Sequence, residues 1–411
     1  MTSKTIEPIE RELKVKTPIL TTKKEIIKDS SLNNNLLIEG DNLHTLNILK
    51  SEGEKIDLIY IDPPYNTGRC NFVYSDSWKN HSSWLEFMKK RLVLAKDLLS
   101  DDGVIFISID DREYAYLKIL CDNIFGEKKY IDTIFWKKCS HKNQSKYLSS
   151  NVEQILVYGN IKKFNKRDSN LDNYKYKDEN GYYRLEALRK SSYGYKKSQD
   201  YPLTLPDGSI SYPDNEIEFM KRQKKSAGKN DPCWAISFRT YLKELKKGKI
   251  IFKKNNKCHY GAYRKIYAKK NNVPYSNIFA EATNQKSTKE LKAMFGKKVF
   301  NYPKPTDLIK FLINLHPKKE GLSILDFFAG SGTTGHATLR LNKEDNGNRK
   351  FILCTNNENN ICEDVTYKRI HKVINGYKNQ TNGKFVEGIP ANLLYYKAKF
   401  EEDLELTKSV A

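Results

Sequence analysis

Lys55-Ile-Asp-Leu-Ile-Tyr-Ile-Asp62-Pro63-Pro64-Tyr65-Asn66-Thr67-Gly68 is the stretch around which the 411-residue chain is organised. Its apolar run, Ile56 to Ile61, reads as a buried strand of a parallel sheet, because strands covered on both faces are apolar throughout. The run stops at a carboxylate followed by two prolines. Each proline fixes its own φ and removes a backbone donor, and the residue before a proline is pushed to extended geometry. Asp62 therefore leaves the strand in a stiff direction, with two carbonyls expected to be free and an aromatic ring behind it. Ligands of open α/β sheets bind beyond the carboxyl ends of the strands. The stretch predicts a rigid polar and aromatic clamp at a sheet mouth, suited to a planar, amino-bearing group.

The flanking sequence repeats this logic. Leu36 to Ile38 is a short strand ending at Glu39-Gly40-Asp41-Asn42, followed by Leu43, Leu46 and Leu49 at helical spacing. Trp84 to Leu99 reads as an amphipathic helix, Val104 to Ile109 as another buried strand, and Tyr114 to Phe125 as a helix. Ile131–Trp136 and Gln154–Tyr158 are further expected strands. Late in the chain come a helix over Asp307–Leu315, a strand ending at Asp326, a glycine turn, and a strand over Lys350–Cys354 that ends near Glu358. Such alternation predicts an α/β fold of parallel βαβ units. Residues 1–33 and 373–411 are polar and are expected to form an extension and a tail, the latter with an aromatic cluster at Leu393-Leu-Tyr-Tyr396.

Charge is distributed unevenly. The formal net charge is +22, and residues 161–270 alone hold 28 Lys and Arg against 12 Asp and Glu. Twelve of the 26 tyrosines lie in the same interval. Lysines that track phosphates, interleaved with tyrosine and arginine that contact bases, are the signature of a nucleic-acid reader. The alternative is a solvated insertion whose tyrosines pack a small core. The seven cysteines show no Cys-x-x-Cys and no zinc-like pairing with histidine, and no run approaches a membrane span; the expectation is a reduced, cytoplasmic protein.

Gly330-Ser-Gly332-Thr333-Thr-Gly335 follows the strand that ends at Asp326 and matches G-x-G-x-x-G. By itself this pattern fits a nicotinamide or flavin site as well as an adenosyl amino acid. A dinucleotide site, however, wants its ribose acid about 20 residues on, and here the next strand-end acid is Glu358.

Taken together, Asp62-Pro-Pro-Tyr65 and the later Asp326-x-Phe328-x-Gly330-x-Gly332-Thr333 resemble the two signature motifs of amino-group DNA methyltransferases. With the tetrapeptide first and the basic insert between, the order is similar to the beta class of N6-adenine and N4-cytosine enzymes. Leu37–Leu43, Asp102–Asp110, Tyr302-Pro-Lys-Pro305 and Gly388–Leu393 add a likeness to the modification subunits of type III restriction systems. The chain departs from that pattern at Val152, where the family tends to have histidine before the glutamate, and it ends soon after Tyr396, where those subunits usually continue.

The resemblance implies a Rossmann-like fold dependent on S-adenosyl-L-methionine, with a mixed, mostly parallel sheet flanked by helices. It divides the chain into an extension (1–33), a catalytic half (34–160), a target-recognition insert (161–275), a cofactor-binding half (276–372) and a tail (373–411). The implied activity is methyl transfer to N6 of adenine in duplex DNA, within a restriction-modification system or as a solitary enzyme. Asp62, Pro63, Pro64 and Tyr65 are the expected catalytic group. Asp326, Phe328, Ala329, Gly330, Gly332 and Thr333 are expected to hold the methionine part of the cofactor, with Lys304 on its carboxylate, Glu358 on its ribose and Asp41 towards its adenosyl moiety. Double-stranded DNA, a restriction endonuclease subunit and a second copy of the chain are the expected partners. N4-cytosine methylation, an RNA substrate, a nicotinamide dehydrogenase and a DNA-binding protein with an inactive site are the competing readings.

Overall fold

The computed structural model describes residues 18–68, 76–139, 148–168, 171–188, 191, 194–225, 227–254, 259–269 and 273–400. The first part of the chain forms β1 (Pro18–Ile26), β2 (Asn34–Glu39), α1 (Asn42–Ser51), β3 (Ile56–Ile61), α2 (His81–Leu98), β4 (Leu99–Ile109), α3 (Tyr114–Phe125), β5 (Tyr130–Lys137) and β6 (Val152–Gly159). The middle contributes β7 (Tyr176–Asp178), β8 (Gly181–Ala187), β9 (Leu203–Thr204), β10 (Ile210–Ser211), α4 (Glu216–Lys224), α5 (Phe238–Lys246), β11 (Ile250–Lys254) and β12 (Tyr260–Tyr267). The last part adds β13 (Ile278–Phe279), α6 (Asn284–Phe295), α7 (Thr306–Leu315), β14 (Glu320–Asp326), α8 (Thr333–Asp345), β15 (Asn348–Thr355), α9 (Lys368–Asn375), β16 (Tyr377–Lys378), β17 (Phe385–Val386) and β18 (Asn392–Phe400).

Residues 18–165 with 276–400 make one compact unit around a ten-stranded sheet in the order β1-β18-β2-β15-β14-β3-β4-β6-β5-β13. Strand β3 shows why its sequence is apolar without alternation. Leu58 and Tyr60 point into a core with Val104, Phe106 and the α7 residues Leu308 and Leu312. Ile59 and Ile61 point into a second core with Leu46, Leu92 and Leu117 of α1, α2 and α3. Both faces are roofed by helices, so every inward position on either side is apolar. The fold is α/β, with parallel pairing from β18 through to β4.

Three expectations change. Strand β6 runs antiparallel to both β4 and β5, where the alternation predicts parallel units. No helical pattern separates β5 from β6, and an antiparallel neighbour needs no crossover helix. Residues 18–26 of the expected extension form β1, paired with β18. Part of the expected tail, β18, lies between β1 and β2, with Leu393 and Tyr395 fully buried. Composition hides β1, whose lysines and threonines suit an edge strand, where charge discourages pairing with other chains. Residues 1–17 and 401–411 lie outside the described residues.

Residues 166–275 form a second unit with its own core of Leu188, Tyr201, Leu203, Trp234, Ile236, Tyr241 and Ile250. Its main sheet is antiparallel, in the order β11-β12-β8-β7. Arg222 is clasped by Asp200 at 3.0 Å and Asp214 at 2.7 Å, which neutralises a buried guanidinium. The tyrosines divide: Tyr201 and Tyr241 pack inward, while Tyr176 and Tyr182 are exposed beside Lys253 and Lys177.

Gly335, the third glycine of the turn motif, lies where α8 meets β15. A Cβ there would come within 2.9 Å of Ile370 Cδ1 and 3.0 Å of Leu353 Cδ1. Gly335→Val forces Ile370, Leu353 and Phe351 to give way in a packed core and is expected to destabilise the unit by about 1–3 kcal/mol, the usual range for overpacking. Thermal unfolding measures it; an unchanged midpoint would contradict this packing.

Candidate active site

Strands β3 and β14 are parallel neighbours, with Leu58 opposite Ile324 and Ile59 opposite Leu325. Asp62 and Asp326 thus emerge side by side at one edge of the sheet. Between them opens a cavity of about 220 Å³, whose wall includes Asp62, Pro64, Lys304, Gly330, Thr333 and Glu358.

The tetrapeptide is stiffened from several directions. The Trp84 indole N–H donates to the Pro64 carbonyl at 2.8 Å, so one of the two carbonyls expected to be free is in use. Among the described residues no group donates to the Pro63 carbonyl. The Tyr65 hydroxyl donates to Asp62 Oδ1 at 2.7 Å. Asn66 adopts a positive φ of 56° and is pinned there: its backbone N–H donates to Asp76 at 2.8 Å and its side-chain amide to buried Glu113 at 2.8 Å. Residues 69–75 lie outside the described residues.

Lys304 arrives from 242 residues away in sequence. Its Nζ donates to Asp62 Oδ1 at 2.7 Å and to the Tyr65 hydroxyl oxygen at 2.8 Å, and pairs with Glu153 Oε2 at 3.3 Å. Lys138 reaches the other oxygen of Glu153 at 3.4 Å. Burial pushes the Asp62 carboxyl above the usual range; Lys304 is the largest counterweight, while Glu153 adds to the rise. Burial also opposes the Lys304 ammonium, but Asp62 and Glu153 outweigh it and hold its pKa above that of an ordinary lysine.

The glycine turn forms the other wall. Gly330 and Gly332 have φ of 48° and 76°, left-handed values that glycine adopts without strain. A Cβ on Gly330 would lie 3.3 Å from the Phe300 ring. Asp326 does not face the cavity freely: Oδ1 accepts the Phe328 N–H at 3.0 Å, and Oδ2 accepts the Thr334 hydroxyl. Its carboxyl clips the turn into shape. Burial pushes its pKa up to about 7, against those hydrogen bonds and with a contribution from Asp62. Behind the turn, fully buried Arg369 donates to Thr333 Oγ1 at 2.8 Å and to Glu290 at 3.1 Å.

Asp41 caps α1 through the Leu43 N–H at 2.7 Å and receives Arg91 at 3.0 Å, while its half-exposed carboxylate stays on the cavity wall. Trp78, Phe87 and Phe328 form an aromatic side, with ring centroids 5.1 and 6.1 Å apart in succession. Glu358 is an exposed acid at the rim, in the turn after β15. The combination of a side-chain-free cradle, an aromatic slot and a rim carboxylate fits an adenosyl amino acid.

Of the residues singled out from the sequence, Asp41, Asp62, Pro64, Lys304, Asp326, Phe328, Ala329, Gly330, Thr333 and Glu358 line this cavity, while Pro63, Tyr65 and Gly332 do not line it but belong to the same two chain segments. Of Glu153 the sequence shows its place in the family pattern without its contact to Lys304. Glu113, Asp76, Trp84 and Arg369 escape a reading of the sequence as site residues. None lies in a motif whose chemistry announces it, and each matters through a contact distant in sequence.

The family model "DNA methylase" matches residues 56–367. The chain is 35% identical over 399 residues to the type III restriction-modification enzyme StyLTI Mod subunit of Salmonella typhimurium, covering 84% of this chain and 57% of that protein. It is 32% identical over 456 residues to the EcoPI Mod subunit of Escherichia phage P1, covering 91% and 67%. With the type II methyltransferase M.KpnI of Klebsiella pneumoniae the identity is 33% over 361 residues, covering 80% and 82%. The chain thus spans little more than half of the first relative and two thirds of the second.

The Asp326 clip has a pH signature. Its folded pKa of about 7 lies above the ordinary 3.8, so the native state keeps a proton that the unfolded chain releases. The resulting stability is present in full below about pH 4 and is lost as pH rises through about 7. In Asp326→Asn this descent disappears. Unfolding temperatures of cofactor-free protein, taken across that window, should fall less in the variant than in the wild type; parallel curves would contradict the assignment.

Proposed function

The chain belongs to the DNA methylase family, and we propose that it is a site-specific methyltransferase moving the methyl group of S-adenosyl-L-methionine to N6 of adenine in duplex DNA. The observation that carries this reading is the meeting of the Asp62–Tyr65 clamp and the glycine-turn cavity at neighbouring strand ends.

An amino group inside a base pair cannot reach such a pocket, so the base must be flipped out at a cost of a few kcal/mol. Tyr65, held through its hydroxyl, offers a fixed ring for the base to stack on, worth about 1–3 kcal/mol. Asp62 Oδ1 is already engaged, so Oδ2 and the Pro63 carbonyl are the acceptors for the two N–H bonds. Accepting both favours a tetrahedral nitrogen whose lone pair points out of the ring plane. That is positioning and electrostatic stabilisation, without a covalent enzyme intermediate.

On the other wall, Phe328, Ala329, Gly330 and Thr333 would hold the methionine part, Glu358 the ribose hydroxyls and Asp41 the adenosyl side, with Gly332 shaping the turn. When bound, the cofactor would supply an electrophilic methyl group on a sulfonium; Asp62 Oδ2 and the Pro63 carbonyl would hold the amino nitrogen that takes it, and the proton the nitrogen loses would pass to solvent. The first residue of the tetrapeptide, aspartate, favours adenine by family resemblance. In the insert, the exposed lysines beside Tyr176 and Tyr182 would track phosphates. We place the protein in a restriction-modification system, with a restriction endonuclease subunit and a second copy of the chain as the partners to look for. Among the described residues no helix is long and apolar enough to cross a membrane.

Asp62→Ala should lower radiolabelled methyl transfer to DNA by at least about 100-fold, the usual cost of losing an electrostatic contact in a transition state. Wild-type rates in the variant would remove the assignment. Nucleoside analysis of the product should return N6-methyladenine; N4-methylcytosine would overturn the choice of base. Lys177→Ala and Lys253→Ala should each weaken DNA binding and flatten its salt dependence by about 0.9 in the log–log slope per lost phosphate contact, with cofactor binding unchanged.

A further inference from the structure

The sequence places Lys304 on the carboxylate of the cofactor, yet its three N–H donors are already matched by three acceptors. Asp62 Oδ1, the Tyr65 oxygen and Glu153 Oε2 lie at 2.7, 2.8 and 3.3 Å. An ammonium has no further donor to offer. We infer, resting on the methyl-transfer reading above, that Lys304 is a positioning residue for the catalytic carboxylate: it holds Asp62 ionised with Oδ2 turned to the base, and Glu153 anchors it there.

The geometry is built for a fixed charge. Lys304 stands between two prolines, and Pro305 is the residue from which α7 begins, so its backbone has little freedom. Its carbonyl accepts from Thr333 Oγ1 of the glycine turn at 3.3 Å, and the preceding Pro303 carbonyl accepts from Ser287. The side chain is 8% exposed. Its Nζ lies 4.9 Å from the centre of the Tyr65 ring and 5.6 Å from that of Trp136, so little water competes for the ammonium.

The charges around Asp62 show what this cation does. Facing it are Lys304, Tyr65, Tyr60 from β3 itself, Glu153 from β6 and Asp326 from β14. Glu153 is in turn paired with Lys138. Lys304 is the one cation in contact with Asp62 among the described residues. Without it Asp62 would lie in a buried site with two other carboxyl groups, and a carboxyl so placed takes up a proton. A protonated Asp62 presents an O–H where the amino group needs an acceptor. The carboxylate is thus kept usable by a residue that touches neither the base nor the cofactor. Glu153 supports the same arrangement from behind. If Asp62 were its single carboxylate partner, the buried ammonium would be less firmly held and free to turn towards the cavity.

Lys304→Met keeps the length of the side chain and removes the charge. In DNA-free, cofactor-free protein, the infrared band of protonated Asp62 is identified as the one missing from Asp62→Asn. Its titration midpoint should lie at least about one pH unit higher in Lys304→Met than in the wild type, a tenfold change in the ionisation constant. An unmoved midpoint overturns the inference. In turnover, the acid limb of kcat against pH should move up by the same amount, with the KM for S-adenosyl-L-methionine changed less than about threefold. A raised KM with an unmoved limb would return Lys304 to the cofactor carboxylate. Glu153→Gln removes a like charge that adds to the rise of Asp62, so it should move the midpoint the opposite way, down, and Lys304→Gln supplies the second charge-removing variant if Lys304→Met does not fold. Lys304→Arg, which restores the charge, should bring the limb back. A wild-type protein that transfers no methyl group would overturn the methyl-transfer reading alone, because the infrared titration requires no turnover.

Discussion

The pairing of β3 with β14 is the contact on which everything else depends. Two residue pairs, Leu58 with Ile324 and Ile59 with Leu325, set adjacent strands in register so that Asp62 and Asp326 leave the sheet together. Slipping a strand by one position would turn its core-facing side chains to the opposite face. Here both faces are packed with apolar side chains, so the register is enforced by burial on each side. The position of the clamp relative to the glycine turn is a property of the core, and loop sequence has little say in it.

What grows from that edge is a set of buried and part-buried charges that only make sense jointly. Asp62, Lys304, Glu153 and Lys138 alternate in sign across 2.7, 3.3 and 3.4 Å. Taking any one of these groups out of water alone costs several kcal/mol, and removing one partner leaves another buried and unpaired. On the far side of the turn, Arg369 does similar work with neutral acceptors and Glu290. The turn is therefore clipped from the front by Asp326 and from behind by Arg369. A rigid cradle spares the binding step the cost of ordering it.

Much of this is legible in the sequence, and the parts that are not share a physical cause. The continuous apolar run of Ile56–Ile61 implies a strand covered on both faces, and Asp-Pro-Pro-Tyr implies stiffness; local chemistry suffices for both. Strand β1 is hidden because lysine-rich edge positions look like solvated coil until a partner strand is present, and β18 because it follows a long polar stretch. The direction of β6 is hidden because strand polarity depends on the connection, whereas hydrophobic pattern reports burial alone. In the site, the glycine turn is readable since only glycine suits its φ values. Asp326, by contrast, suggests a ligand contact from its place at a strand end, when both its oxygens serve the turn. Glu153 is visible in the sequence only as the glutamate of the family pattern after Val152, and nothing local shows its partners. Its role exists only through Lys304 and Lys138, each brought to it by the folded sheet.

Lys304 also joins the two halves of the chemistry. Its side chain fixes the carboxylate of the clamp, and its carbonyl is tied to Thr333 of the glycine turn, whose hydroxyl is in turn held by Arg369. A displacement of the turn on ligand entry would be transmitted to Asp62 through one residue with prolines on either side, which cannot absorb it by bending. The separation between Asp62 and the glycine turn, fixed by the β3–β14 register, is thus reinforced by a single short connection. For the proposed methyl transfer, whose rate would depend on in-line approach, a misplacement of about 1 Å can cost about 100-fold. That sensitivity explains why the connection is proline-flanked, buried and saturated with hydrogen bonds, when a flexible lysine reaching from the surface would satisfy the same charges.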